Sequence, residues 1–368
     1  MKNKIYKYFF YEFLRYFTIV LFALSTIIWT VQAVNFLDLV TNDGHAFIVY
    51  FYYSFLTIPK ILTKLIPFTF LIASMLTILK FEKDNELIIL WTSGLNKIHL
   101  VNLIFKISLL IMAFQLIMSS FLNPLTLNFS RDLIKNSKLQ FVPSLLKEKQ
   151  FNDTVEFLTI FVDQKKTDGT YENIFIRDEG KVLTEVSNAS STIFAKQGYV
   201  TPDDKYLVLL NGNIQKLEED NSLSIIKFEK TSINLSELST KTISEPKVQE
   251  TSTTEIIRYI QLNQNNEEKS VKNYKIEINK RFGMPLFIPL IGLVICFLLS
   301  LSKSEKKFNF LKYLYSFICV CIIIFSEITV RYSGASWENA LVYYMLPIVA
   351  LPLSYFLLMR KFKYENLN

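Results

Sequence analysis

Among its 368 residues the sequence has only nine glycines and no G-x-x-x-x-G-K-[ST] run, so it holds no P-loop to cradle a nucleotide phosphate. Histidine is nearly absent. His45 and His99 are the only two, and neither can anchor a zinc site or a Ser-His-Asp arrangement without help. The three cysteines, Cys296, Cys319 and Cys321, all lie in apolar stretches. None falls between 131 and 280, so disulfides do not stabilise that segment. Cys319-Val320-Cys321 has no histidine or second pair beside it and reads as helix thiols, not a metal site. The apolar runs carry almost no carboxylates, so a proton relay of the secondary-transporter kind is not visible. No catalytic residue, cofactor or metal ligand is assigned. Any work the chain does must draw its energy from a partner.

Charge is also missing from long stretches, and that absence defines the architecture. Uncharged runs occupy 16–37, 107–130, 282–302 and 339–359, each long enough to cross ~30 Å of hydrocarbon as a helix. Two weaker runs, 61–79 (broken by Lys64) and 313–326, bring the count to six, three on either side of a polar segment. The first run is too long for a signal-peptide core, lacks a small-residue cleavage site and reads as a retained anchor.

Lysine and arginine set the orientation. They cluster before the first run, around 80–106, around 303–312 and after the last run, which places both termini and those loops in the cytoplasm. Residues from about 131 to 280 then lie outside. Residues 131–250 hold 16 basic against 19 acidic side chains, net −3, while the whole chain carries +7. The basic excess therefore belongs to loops beside anionic lipid and does not point to nucleic acid.

Between the two sets of spans the periodicity changes to short β-like runs: "VEFLTIFVD", "YENIFIRD", "SSTIFAKQG", "KYLVLLNG" and "SLSIIKFEK". Asp168-Gly169 and Asn211-Gly212 are hairpin signals, because a type I′ turn needs positive φ at both central residues. The pattern predicts an antiparallel sandwich or open β-roll. Residues 231–252 read as a linker, and "TTEIIRYIQL" and "SVKNYKIEINKRF" as polar helices leading into the fourth span. The domains are then 1–130, 131–252 and 253–368.

The loop "FEKDNELIILWTSGLNK" (81–97) is too short to span a bilayer yet lies between two spans. Over 84–97 it predicts a helix capped by Asp84 or Asn85, with Glu86 at its positive end. Leu87, Leu90, Trp91 and Leu95 form one apolar stripe, Gly94 ends the helix and Lys97 suits its negative end. Such a helix can dock into an ATPase groove or lie in the lipid interface. Lys60 and Lys64 share a helical face at the outer end of the second span, where they can meet lipid phosphates or snorkel to headgroups. Glu327 and Arg331, also four apart, predict an intrahelical pair, with Arg331 the lesser phosphate candidate.

The run "LIPFTFLIASMLTILKFEKDNELIILWTSGLNKIHLV" (65–101) resembles the second span and following loop of the LptF/LptG lipopolysaccharide-export permeases. That family shows a proline-containing span, an acidic residue opening a hydrophobic helix, and Ser-Gly before the third span. "EINKRFGMPLFIPLIGLVICFLL" (277–299) is similar to the family's fourth span, which opens with a basic residue and a Pro-Leu pair. Residues 157–180 look more like the LptF side than the LptG side.

The resemblance covers the full chain. It implies a membrane α-helical bundle of six transmembrane helices, three and three, with an inserted all-β, jellyroll-like periplasmic domain. It further implies an inner-membrane permease paired with a second LptF/LptG-type permease over an LptB-type ATPase dimer. LptC-type and LptA-type periplasmic components would receive lipopolysaccharide. Glu86 falls at the acidic coupling position. From the residues alone, a membrane-anchored sensor or envelope assembly factor with a β binding domain remains open.

Overall fold

In the computed structural model the described residues are 2–41, 45–136, 146, 148–153, 157–166, 168–179, 190–201, 206–217, 222–234, 247–263, 269–300 and 308–365. Six helices among them are long and apolar enough to cross a membrane: Lys4–Thr41, Phe47–Lys83, Lys97–Lys135, Ser270–Ser300, Asn309–Tyr332 and Trp337–Lys363. As far as their residues are described, all four uncharged runs and both weaker ones fall on these helices. The chain divides into two compact units, one of Met1–Val31, Leu56–Asn128 and Lys247–Asn368, the other of Gln32–Phe55 and Phe129–Pro246. The segment 32–55, expected with the helices, therefore groups with the β-containing unit.

The helical elements in chain order are α1 (Lys2–Asn35), α2 (Asp38–Thr41), α3 (Phe47–Leu56), α4 (Ile58–Lys83), α5 (Glu86–Thr92), α6 (Lys97–Ile117) and α7 (Asn123–Asn136). After the strands follow α8 (Thr253–Leu262), α9 (Lys269–Gly283), α10 (Phe287–Ile295), α11 (Phe308–Tyr332) and α12 (Trp337–Glu365). Helix α10 is the hub of the helical unit. Eight of its nine residues are buried, among them both Pro289 and Gly292, because a helix apolar on every side must be enclosed. Gly292 allows a close approach: an added Cβ would stand 3.1 Å from the Ser108 Cβ and 3.3 Å from the Phe70 ring.

Phe9, Phe13 and Phe17 recur every fourth residue on one face of α1 and are all buried. Phe9 meets Phe81 (5.1 Å between ring centres) and Phe13 meets Phe70 (5.7 Å), both on α4. Hydroxyls inside α4 stay satisfied by folding back on the helix: Thr69 donates to the Leu65 carbonyl and Thr77 to that of Ala73, both at 2.7 Å. One ion pair joins α1 to α4, between Lys80 and the buried Glu12 at 2.7 Å.

In the other unit the strands β1 (Phe151–Asn152), β2 (Leu158–Lys165), β3 (Tyr171–Asp178), β4 (Ser191–Val200), β5 (Tyr206–Leu217) and β6 (Leu223–Asn234) form one antiparallel sheet in sequence order. Every strand pairs with its chain neighbours, so the described strands make an up-and-down meander, without the Greek-key crossings of a full jellyroll. Strand β6 runs to Asn234, four residues into the stretch read as linker. Residues 235–246 of that stretch lie outside the described residues.

Asp168-Gly169 does turn between β2 and β3, with Gly169 at φ 84°. Asn211-Gly212 does not. It lies in the middle of β5, where Asn211 nevertheless adopts φ 52°. The positive φ that suggested a hairpin serves another purpose. In β3 the buried positions step by two from Ile176 to Ile174 and then by three to Tyr171; in β4 they run Ile193, Ala195 and then Gly198. The inward parity thus changes along a line across the sheet, between the pairs Ile174↔Ala195 and Tyr171↔Gly198. Asn173 (φ 51°) in β3 and Asn211 in β5 sit on that line and absorb the rotation. Asparagine tolerates left-handed backbone better than other side chains do. Beside it, Gly212 is required because a Cβ would lie 2.1 Å from the Phe194 carbonyl oxygen.

Asn211→Val is expected to cost about 1–2 kcal/mol, since a β-branched residue is strained at positive φ, whereas Asn211→Gly should stay within a few tenths. Thermal unfolding of the full-length protein in detergent checks this. Equal midpoints for the two variants would show that the Asn211 backbone is not constrained.

Candidate functional site

The loop between the second and third spans forms α5, shorter at both ends than the 84–97 helix expected. Asn85 precedes it at φ 60°, and neither it nor Asp84 caps it through its side chain. Glu86 opens the first turn and accepts a hydrogen bond from the Tyr8 hydroxyl at 3.2 Å. The helix ends where Gly94 enters the left-handed region at φ 82°. The Gly94 N–H bonds the Trp91 carbonyl and the Leu95 N–H that of Leu90, both at 3.1 Å, which is a Schellman motif.

Lys97 does not close this helix. It is the first residue of α6, whose start is capped by Asn96, and its ammonium stands 5.8 Å from the centre of the Trp91 ring. The apolar stripe is turned inward. Leu87 and Leu95 are buried, and Leu90 and Trp91 pack on the helical core. Burying that stripe leaves Ile88 and Ile89 outermost, 50% and 63% exposed. The outward face of α5 is therefore Ile88, Ile89 and the half-buried Glu86.

At the other end of α4, Lys60 and Lys64 face a cavity of about 370 Å³ within the helical unit. Twenty residues separate Lys60 from Lys80, so one helix about 30 Å long, with Pro67 inside it, connects the cavity to the α5 end. The cavity wall is completed by Phe68 of α4, Gln115 of α6, Lys280 and Arg281 of α9, and Ile324, Glu327 and Ile328 of α11. Its charged groups are four cations and two carboxylates, Glu277 and Glu327.

These charges are not equivalent. Arg281 is only 2% exposed, and four hydrogen bonds hold its guanidinium. It donates to Glu277 (3.1 Å), the Thr253 hydroxyl (2.8 Å) and the carbonyls of Gln249 (3.3 Å) and Thr251 (3.0 Å). That buried fork anchors the segment entering α8, where Ser252 and Glu255 form a capping box. Lys280 reaches Glu327 of α11 at 2.8 Å. Lys60 and Lys64 form no ion pair or hydrogen bond among the described residues. Gln115, 4% exposed, donates to the Thr63 carbonyl at 3.2 Å and has no hydrogen bond at its buried Oε1.

The expected Glu327–Arg331 pair is not formed. Glu327 turns across to Lys280, and Arg331 is exposed and outside the cavity wall. A single sequence fixes which residues share a helix face, not which neighbouring helix stands opposite. Lys280, Arg281 and Gln115 were not singled out from sequence as site residues. Lone polar Gln115 inside the uncharged 107–130 run was a legible signal, as was the basic pair opening the fourth span. Unpaired cations beside apolar Phe68, Ile324 and Ile328 suit an amphiphile with an anionic headgroup.

An uncharacterised protein of Rickettsia prowazekii (strain Madrid E) is 25% identical over 366 residues, which cover 96% of this chain and 98% of that protein. The family described as lipopolysaccharide export system permease LptF/LptG matches residues 7–360, from the first helix through the last. With six spanning helices, an inserted antiparallel sheet and a match over nearly the whole chain, this protein belongs to the LptF/LptG permease family.

Proposed function

We propose that this chain is the membrane-embedded permease subunit of an ATP-driven exporter that extracts lipopolysaccharide from the inner membrane and passes it to a periplasmic bridge. The observation that carries the reading is the cavity, where Lys60 and Lys64, without an ion pair among the described residues, stand beside apolar side chains in a member of this family. The lysines take a phosphate of the lipid and the apolar wall takes an acyl chain. The chain itself hydrolyses nothing. ATP is consumed by an LptB-type ATPase dimer, and a second LptF/LptG-type permease completes the path. LptC-type and LptA-type components receive the lipid outside, and the termini and α5 face the cytoplasm.

The ATPase contact is made by the outward face of α5, with Glu86 as its charged member and Ile88 and Ile89 as its apolar ones. Leu87 and Trp91 act from beneath by holding α5 on the bundle. Movement imposed on α5 is carried along α4, past Pro67, to Lys64 and Lys60, because one helix joins the two ends. Pairing of Glu86 with Tyr8 keeps the carboxylate beside the helix start, where the dipole stabilises it.

Glu86→Arg is expected to lower lipid-stimulated ATPase activity of the purified complex by about tenfold, equivalent to ~1.4 kcal/mol of coupling, with assembly intact. Unchanged stimulation would remove Glu86 from the coupling contact. Lys60→Glu combined with Lys64→Glu should abolish most photo-crosslinking of lipopolysaccharide to the second span. Full retention would assign both lysines to headgroup snorkelling. Purification from native membrane without any ATPase, under conditions that keep the chain folded, would favour a sensor or assembly factor.

A further inference from the structure

We propose that the Lys280–Glu327 pair is a latch between the fourth and fifth spans, opened by an anionic headgroup seated in the cavity. The proposal rests on the reading of the cavity as a lipid-phosphate site. Its basis is the difference between two adjacent cations. Arg281 is buried and holds four partners at once, so no single competitor frees it. Lys280 has one ion-pair partner, Glu327, and the two side chains are 28% and 42% exposed. A lone, partly exposed pair of this kind is worth ~1 kcal/mol or less, so a second anion nearby can break it.

The competing anion arrives in the same cavity. Lys60 and Lys64 line it without an ion-pair or hydrogen-bond partner among the described residues, and Lys280 and Glu327 form part of its wall. A phosphate carries more negative charge than a carboxylate and presents several acceptor oxygens, so it draws Lys280 while repelling Glu327. Glu277, the other cavity carboxylate, is already held by Arg281 and has no need of Lys280.

A fixed joint lies beyond the latch. Asn279, buried beside Lys280, donates to both the carbonyl (3.2 Å) and the hydroxyl (3.0 Å) of Ser333, just past the end of α11. Its Oδ1 accepts from the Tyr344 hydroxyl of α12 at 3.2 Å. Release of Glu327 removes one tie between α9 and α11 and leaves the joint at Ser333 in place, so α11 shifts its angle against α9 about that joint. Occupancy of the cavity becomes a change in the angle between the fourth and fifth spans.

The test uses the full chain in its native complex, in nanodiscs, with spin labels at Phe282→Cys on α9 and, well away from the Ser333 joint, Phe317→Cys on α11, in a Cys321→Ser background. The two labelled side chains are exposed and outside the cavity wall, and Cys321 is the one exposed native cysteine among the described residues. With phosphatidylcholine alone the latch should be closed. Added lipopolysaccharide should shift the label distance, and Glu327→Gln should show the shifted distance without it. The Lys60→Gln, Lys64→Gln pair should hold the closed distance with lipopolysaccharide present. The reversed pair Lys280→Glu, Glu327→Lys should restore the closed distance in phosphatidylcholine, which separates loss of the latch from loss of fold.

The same shift with phosphatidylglycerol, but none with lipopolysaccharide, would support the latch and overturn the lipopolysaccharide assignment. Lipopolysaccharide that co-purifies without moving the labels would overturn the latch and leave the binding reading standing. An unshifted distance in Glu327→Gln would overturn it as well.

Discussion

A helix that is apolar on every side has one stable place, among other helices, and the rest of the helical unit is arranged around that requirement. Phe287–Ile295 is enclosed by the second, third, fifth and sixth spans, and the fourth-span window is 72% buried against 17% for the first. The close contact at Gly292 sets how tightly Phe70 and Ser108 approach it. Around this hub the outer spans keep one face for the core and another for lipid. That is why long helices such as α1 bury a phenylalanine stripe and still expose Phe22, Ile27 and Val31.

Where α10 gives way to α9, polar chemistry replaces apolar contact. Burying a guanidinium is costly unless its donors find acceptors, and Arg281 offsets that cost with one carboxylate, one hydroxyl and two carbonyls. Lysine, a single flexible charge, makes no such demand and keeps the freedom to change partners. A cavity bounded by both kinds of cation has a rigid wall and an adjustable one. The same helix, α4, presents Lys60 and Lys64 to that cavity and ends beside α5.

The β unit solves a different problem. A meander with a strict period of two would bury one face along its whole length. Here the buried set changes parity across the sheet without losing register, because Asn173 and Asn211 take up the rotation in their strands.

By itself the sequence determined the six spans, the inserted strands, the lead-in helices and the short helix after the second span. These follow from local quantities: run length, charge distribution and the period of apolar residues. It also placed Lys60 and Lys64 on one face and Glu86 at a helix start. Only the tertiary structure decided which way the α5 stripe faces, that Asn211 bends a strand instead of closing a hairpin, and that Glu327 pairs with Lys280 and not Arg331. Each of these depends on what stands opposite a residue, 47 positions away for Lys280 and Glu327. Periodicity reports a residue's own face, and the identity of the neighbour across the gap is fixed only when the helices and strands pack.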